Sequence, residues 1–295
     1  MPFEGLPPDA DLVLAENVPT PVLNRLISDQ VPESVSSRAE ALTRIRQFAA
    51  PHAVAEVYRE YRLGGRFAVV WLEPAVNVGW ERCAKVFRPL SSKYLAAHAP
   101  GVDDFWPIWV DLVDGRVAAR FVFLEAKQFV RANLSFVERA VLGLATVVFR
   151  LDALELRCIA KRLKSFTSFV SQRLSLPEKE QRQVSVRSNE QAIALKGDLQ
   201  GRFYRARAKM NATHDFDIVD VAAQDGVDLA ESQAWRQFEA GQGRGRYIEF
   251  FYPTKADRNV IRVAQRDVTI SFVTPATEAA VQRVREAVLQ HGERL

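Results

Sequence analysis

The chain has 295 residues, 48% of them apolar, enough to enclose one large core or two modest ones, and a formal net charge of +4. No apolar run approaches the ~18 residues of a membrane span; the longest, Val141 to Phe149, is closed by Arg150 and Asp152. Two cysteines, Cys83 and Cys158, lack the C-x-x-C spacing of a zinc site or a disulfide framework, and a reducing, cytoplasmic setting is expected.

In chain order, Met1 to Ala15 carries Glu4, Asp9 and Asp11 around prolines with no basic start, which is not a secretory signal, and residues 1–18 are expected as a loose tail. Ser37 with Glu40 makes a capping box, after which Ala41, Leu42, Ile45 and Phe48 recur at helical spacing. Pro51 ends that helix and opens another, whose stripe is Val54, Val57, Tyr58 and Tyr61, with Glu56 and Glu60 off it. Gly64-Gly65 stops it, and RFAVVWL, 66–72, reads as a buried strand. A polar helix or loop follows through Tyr94. Asp114-Gly115 then separates two apolar runs, FWPIWVDLV and RVAARFVFLEAK, marking a hairpin over 104–127, because the turn needs positive φ and Gly adopts it at little cost.

Ser135 with Glu138 makes a second capping box, which predicts a long apolar helix through Phe149 and, after a break, a basic helical segment from Leu154 to Leu174. Pro177 and EKEQRQ look like a domain boundary. Beyond it, strands are expected near 184–187, 193–195, 247–252, 260–263 and 268–273, with 203–210 ambiguous. Thr274-Pro275 is expected to cap a final helix bearing Val281, Val284 and Val288. The resulting expectation is an α+β protein: a tail, 1–18; a helix/strand domain with a central hairpin, 19–176; and a smaller sheet covered by a terminal helix, 177–295.

Charge is uneven. From Glu155 to Lys209 there are thirteen Lys or Arg against five Asp or Glu, so within a total of +4 the rest of the chain is net acidic. Such asymmetry is expected of a protein that meets a polyanion, although a solvated helix face accounts for it equally well. Lys161, Arg162 and Lys164 on the helical segment are candidate phosphate contacts. So are Arg202, Arg205 and Arg207, which with Lys209 interleave with Phe203 and Tyr204 as in a groove for single strands.

A two-residue turn at Asp114-Gly115 pairs Val113 with Arg116, Val110 with Ala119, and Asp104 with Glu125. Asp104, Glu125 and Lys127 then share a face at the open end of the hairpin. Two carboxylates beside an amine suit a divalent cation, Mg²⁺, and a water that the lysine steers or deprotonates. Asp111 competes as the metal acid if the register differs.

These residues resemble the PD-(D/E)xK nuclease core over about residues 38 to 150, with Asp104 before the hairpin and Glu125-Ala126-Lys127 ending the strand. The resemblance implies phosphodiester cleavage by Asp104, Glu125 and Lys127, an extra acid from Glu56 or Glu60, and a helix opening near Ser135. Asp104 lacks the preceding proline of that pattern, and residues 74–101 form an insertion. A second stretch, RFAVVWL, then KVFRPLSSKYL, then FVFLEAKQFVRANLSFVERA, is similar to the DNA-binding subunit of the Kiwa anti-phage defence system over about residues 66 to 145. That resemblance implies DNA binding without chemistry, with Lys127 and Arg131 as phosphate contacts or simple surface charges.

Gly241-x-Gly243-x-Gly245 precedes a strand and so is no dinucleotide fingerprint, and His214 with Asp215 and Asp217 reads as a polar turn. Nucleic-acid engagement is the function expected, with metal-dependent cleavage its sharper form. The alternative is a non-catalytic DNA-binding subunit, or a structural or partner-binding protein, joined to a partner protein or to its own copies, whose basic face has no specific role.

Overall fold

The computed structural model describes residues 6–28, 35, 37–73, 78–101, 104–130, 136–176, 182–209, 218–224, 227–240, 244–253, 258–265 and 269–294. The fold is mixed α+β. Its first half holds helices α1 (Ala10–Glu16), α2 (Thr20–Arg25), α3 (Arg38–Phe48) and α4 (Pro51–Tyr61), strand β1 (Gly65–Glu73), and helices α5 (Trp80–Val86) and α6 (Ser92–Ala97). Strands β2 (Trp106–Val113), β3 (Arg116–Val130), β4 (Phe136–Phe149) and β5 (Leu154–Cys158) then lead into α7 (Ala160–Leu174). The second half continues with β6 (Arg182–Ser185), α8 (Asn189–Asp198), β7 (Arg202–Lys209), β8 (Ile218–Ala222) and α9 (Gln233–Ala240). It ends with β9 (Arg244–Pro253), β10 (Arg258–Ala264), β11 (Thr269–Ala276), α10 (Glu278–His291) and β12 (Glu293–Arg294). None of the described helices is long and apolar enough to cross a membrane.

Two compact units interleave along the chain: Met1–Leu12 with Trp71–Arg182, and Val13–Val70 with Gln183–Leu295. In the first unit β2, β3, β4 and β5 form an antiparallel sheet in that order. One face carries Phe121 and Phe123, and α7 covers it: Phe166 lies 5.4 Å from Phe121, Phe105 5.5 Å from Phe123, and Phe87 meets Phe121 edge-on at 5.1 Å. The other face carries a row of polar side chains, because Arg120 pairs with Thr146 and Thr146 with Arg157 across neighbouring strands. All three are buried. Arg120 lies 5.7 Å over the Trp109 ring and 3.7 Å from Asp9, while Glu155 joins Arg157 at 2.5 Å and Arg150 at 2.6 Å. Burial alone would raise the Glu155 pKa, but Arg157 and Arg150 outweigh it and hold the carboxyl below its ordinary value.

In the second unit the sheet order is β1, β11, β10, β9, β7, β8, and β12 pairs with β6. Phe203, Ile248, Phe250, Ile261 and Phe272 are buried on one face. There Phe203 meets Trp235 of α9 at 5.4 Å, and α8 lies on β9. Asn17 donates to the Gly64 carbonyl at 2.9 Å, fixing the entry to β1, where Gly65 has φ +118°.

Several expected elements differ. Residues 10–16 of the expected tail form α1, with Val13 and Leu14 fully buried. Ser37 is the N-cap of α3, but its side chain makes no cap hydrogen bond, and Glu40 instead pairs with Arg44 at 2.6 Å. The helix expected over 135–149 is strand β4, paired to β3 along its whole length. Its Val137, Val141, Thr146, Val147 and Val148 are β-branched, and a fifteen-residue partner strand outweighs a local Ser-x-x-Glu signal. Residues 154–158 are strand β5, with Leu154 and Leu156 on one face and Glu155 and Arg157 on the other. The strand expected at 193–195 lies inside α8, opened by a capping box of Ser188 and Gln191. The final helix is capped by Thr277, with Thr274 and Pro275 still inside β11. Expectations at Ser135, 177–181 and 268 fall outside the described residues.

Candidate nucleic-acid interface

The hairpin tip forms as its chemistry requires: Asp114 has φ +50° and Gly115 φ +73°, and Val113 pairs with Arg116 and Val110 with Ala119. The expected pairing of Asp104 with Glu125 does not form. The register slips by one between Pro107 and Trp109, so that Trp106 pairs with Val122, and β2 begins there. Proline has no N–H for the ladder, and the extra residue of the bulge, Ile108, follows it directly. Continued at that register, Asp104 would face Leu124. Its Oδ2 instead accepts from the Gly101 N–H at 3.0 Å, in the loop before the strand. Asp111 pairs with Ala118 and so lies on the face opposite Glu125. Glu56 and Glu60 are exposed on α4 of the other unit.

Glu125 is held by cations: Lys161 Nζ at 3.1 Å and Lys127 Nζ at 4.0 Å. Lys161 also donates to the Ala126 carbonyl at 3.3 Å. Among the described residues no group of three or more His, Cys, Asp or Glu is placed to hold a metal ion. The structure thus brings Glu125 and Lys127 together as expected, and leaves Asp104 out.

Of the basic helical segment, Lys161 and Lys164 are exposed, whereas Arg162 lies 5.4 Å over Phe105 and 5.9 Å over Phe123. Its guanidinium packs on the aromatic core. Leu163, Phe166 and Val170 are buried, Ile159 is half-buried at the N-cap, and Arg157 sits on β5 and is buried.

The second unit assembles a different constellation. Phe203 pairs with Phe250 and Arg205 with Glu249, so Tyr204 is an extra residue in β7. That bulge aims Tyr204 and Arg205 at the same face, the one opposite the buried Phe203 and Ala206. Arg202 and Arg207 share it, paired with Phe251 and Tyr247 of β9, and so does Arg262 of β10, which pairs with Glu249. Three aromatic rings and four guanidinium groups therefore alternate on one face of three strands, all half-buried.

The contacts fix that face in place. Tyr204 stacks on Phe251 with centroids 4.4 Å apart and donates its hydroxyl to Glu249 at 2.5 Å. Arg262 donates to the same carboxylate at 2.6 Å and lies 4.5 Å over Tyr247, and Arg202 lies 5.8 Å over Phe251. Arg205 makes a two-pronged pair with Asp220 at 2.9 and 2.7 Å, which holds the Asp220 carboxyl below its ordinary range. Burial and the hydrogen bond to Glu249 raise the Tyr204 phenol, so it stays a neutral donor. Among the described residues neither Arg202 nor Arg207 is joined to a carboxylate. Sequence reasoning named the arginines of β7 but missed Tyr247, Glu249, Phe251 and Arg262. The signal was present in the alternation of YIEFF, where Ile248 and Phe250 go inward and Tyr247, Glu249 and Phe251 outward. The side chains of Lys209, Arg244 and Arg246, and the cluster at His214, lie outside the described set.

The chain matches no protein-family model, no curated protein and no solved structure.

Proposed function

We propose that the protein binds nucleic acid, and single strands in particular, on the outer face of β7, β9 and β10. The observation that carries this reading is the bulge at Tyr204, which places tyrosine and arginine side by side on a face that already holds Tyr247, Phe251, Arg202, Arg207 and Arg262. Flat rings give bases a stacking surface without sequence readout, and guanidinium groups meet the phosphates between them. Glu249 orients the set by fixing Tyr204 and Arg262, while Arg202 and Arg207 add further positive charge, Arg207 opposite Asp220 of β8. Cleavage is not part of the proposal, since Asp104 and Glu125 do not share a strand pair.

Fluorescence anisotropy of short single-stranded DNA and RNA oligonucleotides tests it. Affinity should fall linearly in log K against log salt, with a slope of about 0.7 per phosphate contacted. Tyr247→Ala should weaken binding by about 1–3 kcal/mol, the worth of one stacked base. Arg207→Gln should flatten the salt slope by about 0.7. No retention of either oligonucleotide at low salt removes the reading.

A further inference from the structure

Two carboxylates stand on the outer face of the second unit, and they are set differently. Glu249 is 3% exposed, with its oxygens closed over by Tyr204 at 2.5 Å and Arg262 at 2.6 Å. Asp220 lies on β8, the last strand of that sheet among the described residues, and 33% of its side chain is open to solvent. One carboxylate is therefore enclosed by the face, and the other is accessible at its edge.

Register places Asp220 directly opposite Arg207 across the β7–β8 pair, and Arg205 opposite Ala222. Directly opposite side chains share a face and lie closest together. Asp220 nonetheless takes the diagonal neighbour, which the bulge at Tyr204 has turned outward: Arg205 Nε donates to Oδ1 at 2.9 Å and Nη2 to Oδ2 at 2.7 Å. Arg205, and after it the charge of Arg207, hold the Asp220 carboxyl below its ordinary range, so it is an anion at neutral pH. The two N–H groups it occupies form an edge of the guanidinium that fits the paired oxygens of a phosphate equally well. The Arg205 side chain is itself 41% exposed, and ion pairs in the open add little to folding. The pair thus does little for the fold, but it fills a phosphate-binding fork.

We infer that Asp220 is an internal competitor for nucleic-acid phosphate: it fills the Arg205 fork in the free protein, and a backbone phosphate takes its place when a single strand binds. This rests on the reading of the β7–β10 face as a single-strand surface, and adds how that surface is regulated. One anion is exchanged for another on Arg205, so the strand gains from this arginine only the difference between two similar contacts. Affinity accordingly leans on the stacking rings more than on charge. Until a strand arrives, Asp220 also keeps Arg205 in the geometry a phosphate needs, so that less of a long side chain has to be ordered on binding.

Anisotropy of a short single-stranded DNA oligonucleotide with the full chain tests this through a double-mutant cycle. Asp220→Asn should tighten binding about two- to fivefold, because an exposed ion pair no longer has to be broken. Its salt slope should match that of wild type, since the same phosphates are contacted. Arg205→Gln should flatten the slope by about 0.7, and in that background Asp220→Asn should bring no gain. A variant that fails to fold cannot imitate a gain in affinity. An equal gain with and without Arg205 would show Asp220 acting on the strand at large, and overturns the inference. So does an Asp220→Asn variant without gain, or one whose slope steepens by about 0.7, because Arg205 would then meet no phosphate in wild type. With Tyr247→Ala still weakening binding, those results leave the β7–β10 reading in place. No binding by wild type or by Asp220→Asn at low salt removes both.

Discussion

With its carboxylate held by Arg150 and Arg157 and shielded from water, Glu155 is an ion whose loss leaves two buried guanidinium groups short of counter-charge. Glu155→Gln should therefore cost about 3–5 kcal/mol in urea unfolding at neutral pH. The pH dependence has a definite sign. The folded carboxyl titrates below its unfolded value of ~4.3, so its contribution is complete above that pH and is lost as pH falls through the folded value. The gap between wild type and Glu155→Gln should narrow only in acid below ~4. The two thiols make a second prediction. Burial pushes Cys83 up to about 12 and raises Cys158 as well, so both are protonated at pH 8. Iodoacetamide should label neither in the folded protein and both in urea, and rapid labelling without denaturant would contradict their placement.

At the scale of elements, two glycines separate conformational from steric cost. A Cβ on Gly115 would meet nothing within 4 Å, so Gly115→Ala should cost only the strain of φ +73°, about 1–2 kcal/mol in chemical denaturation. A Cβ on Gly143 would lie 2.5 Å from the Phe123 ring, which packs on Phe105. Gly143→Ala must move that ring and should cost about 1–3 kcal/mol with changed near-ultraviolet dichroism. The same elements show what the sequence makes legible. Asp114-Gly115 was readable because the turn's demand for positive φ is met by two adjacent residues. The register beyond it was not, although Pro107 sat between the tip and Asp104 and its missing N–H was the available warning. Strand β4 was misread because its apolar residues are buried on both faces over 145–149, which erases the alternation that distinguishes strand from helix. The outer face of β7 was half legible: the arginines are visible in GRFYRARAK, but a bulge is a property of two strands and cannot be seen in one.

At the scale of the whole molecule, the chain enters the second unit twice, and β1 is the consequence. Phe67 of β1 pairs with Phe272 of β11, and their rings meet at a tilt with centroids 5.1 Å apart, so residues 13–70 supply a strand that residues 183–295 lack. A fragment of 183–295 should show poor amide dispersion in NMR spectra, and adding a 13–70 peptide should restore it. A well-dispersed spectrum from 183–295 alone would mean that β1 is dispensable. The same interleaving explains why a cut at 177–182 looked sufficient from sequence: composition marks the third crossing between units and is silent about the first two, which fall inside α1 and inside the apolar run of β1.

The bulge in β7 behaves as a phase shift that a second one cancels. Pairing slips by one residue at Tyr204 and slips back between Arg207 and Ala208, where Arg246 is the extra residue of β9. Without Tyr204, the sequence Arg202, Phe203, Arg205, Ala206, Arg207 already alternates outward and inward. Deleting that one residue would leave Phe203 and Ala206 facing the core and every arginine facing out. Tyr204 is in this sense an inserted letter: the inward and outward alternation of the strand is complete without it, and its removal takes from the outer face the ring that the insertion places there.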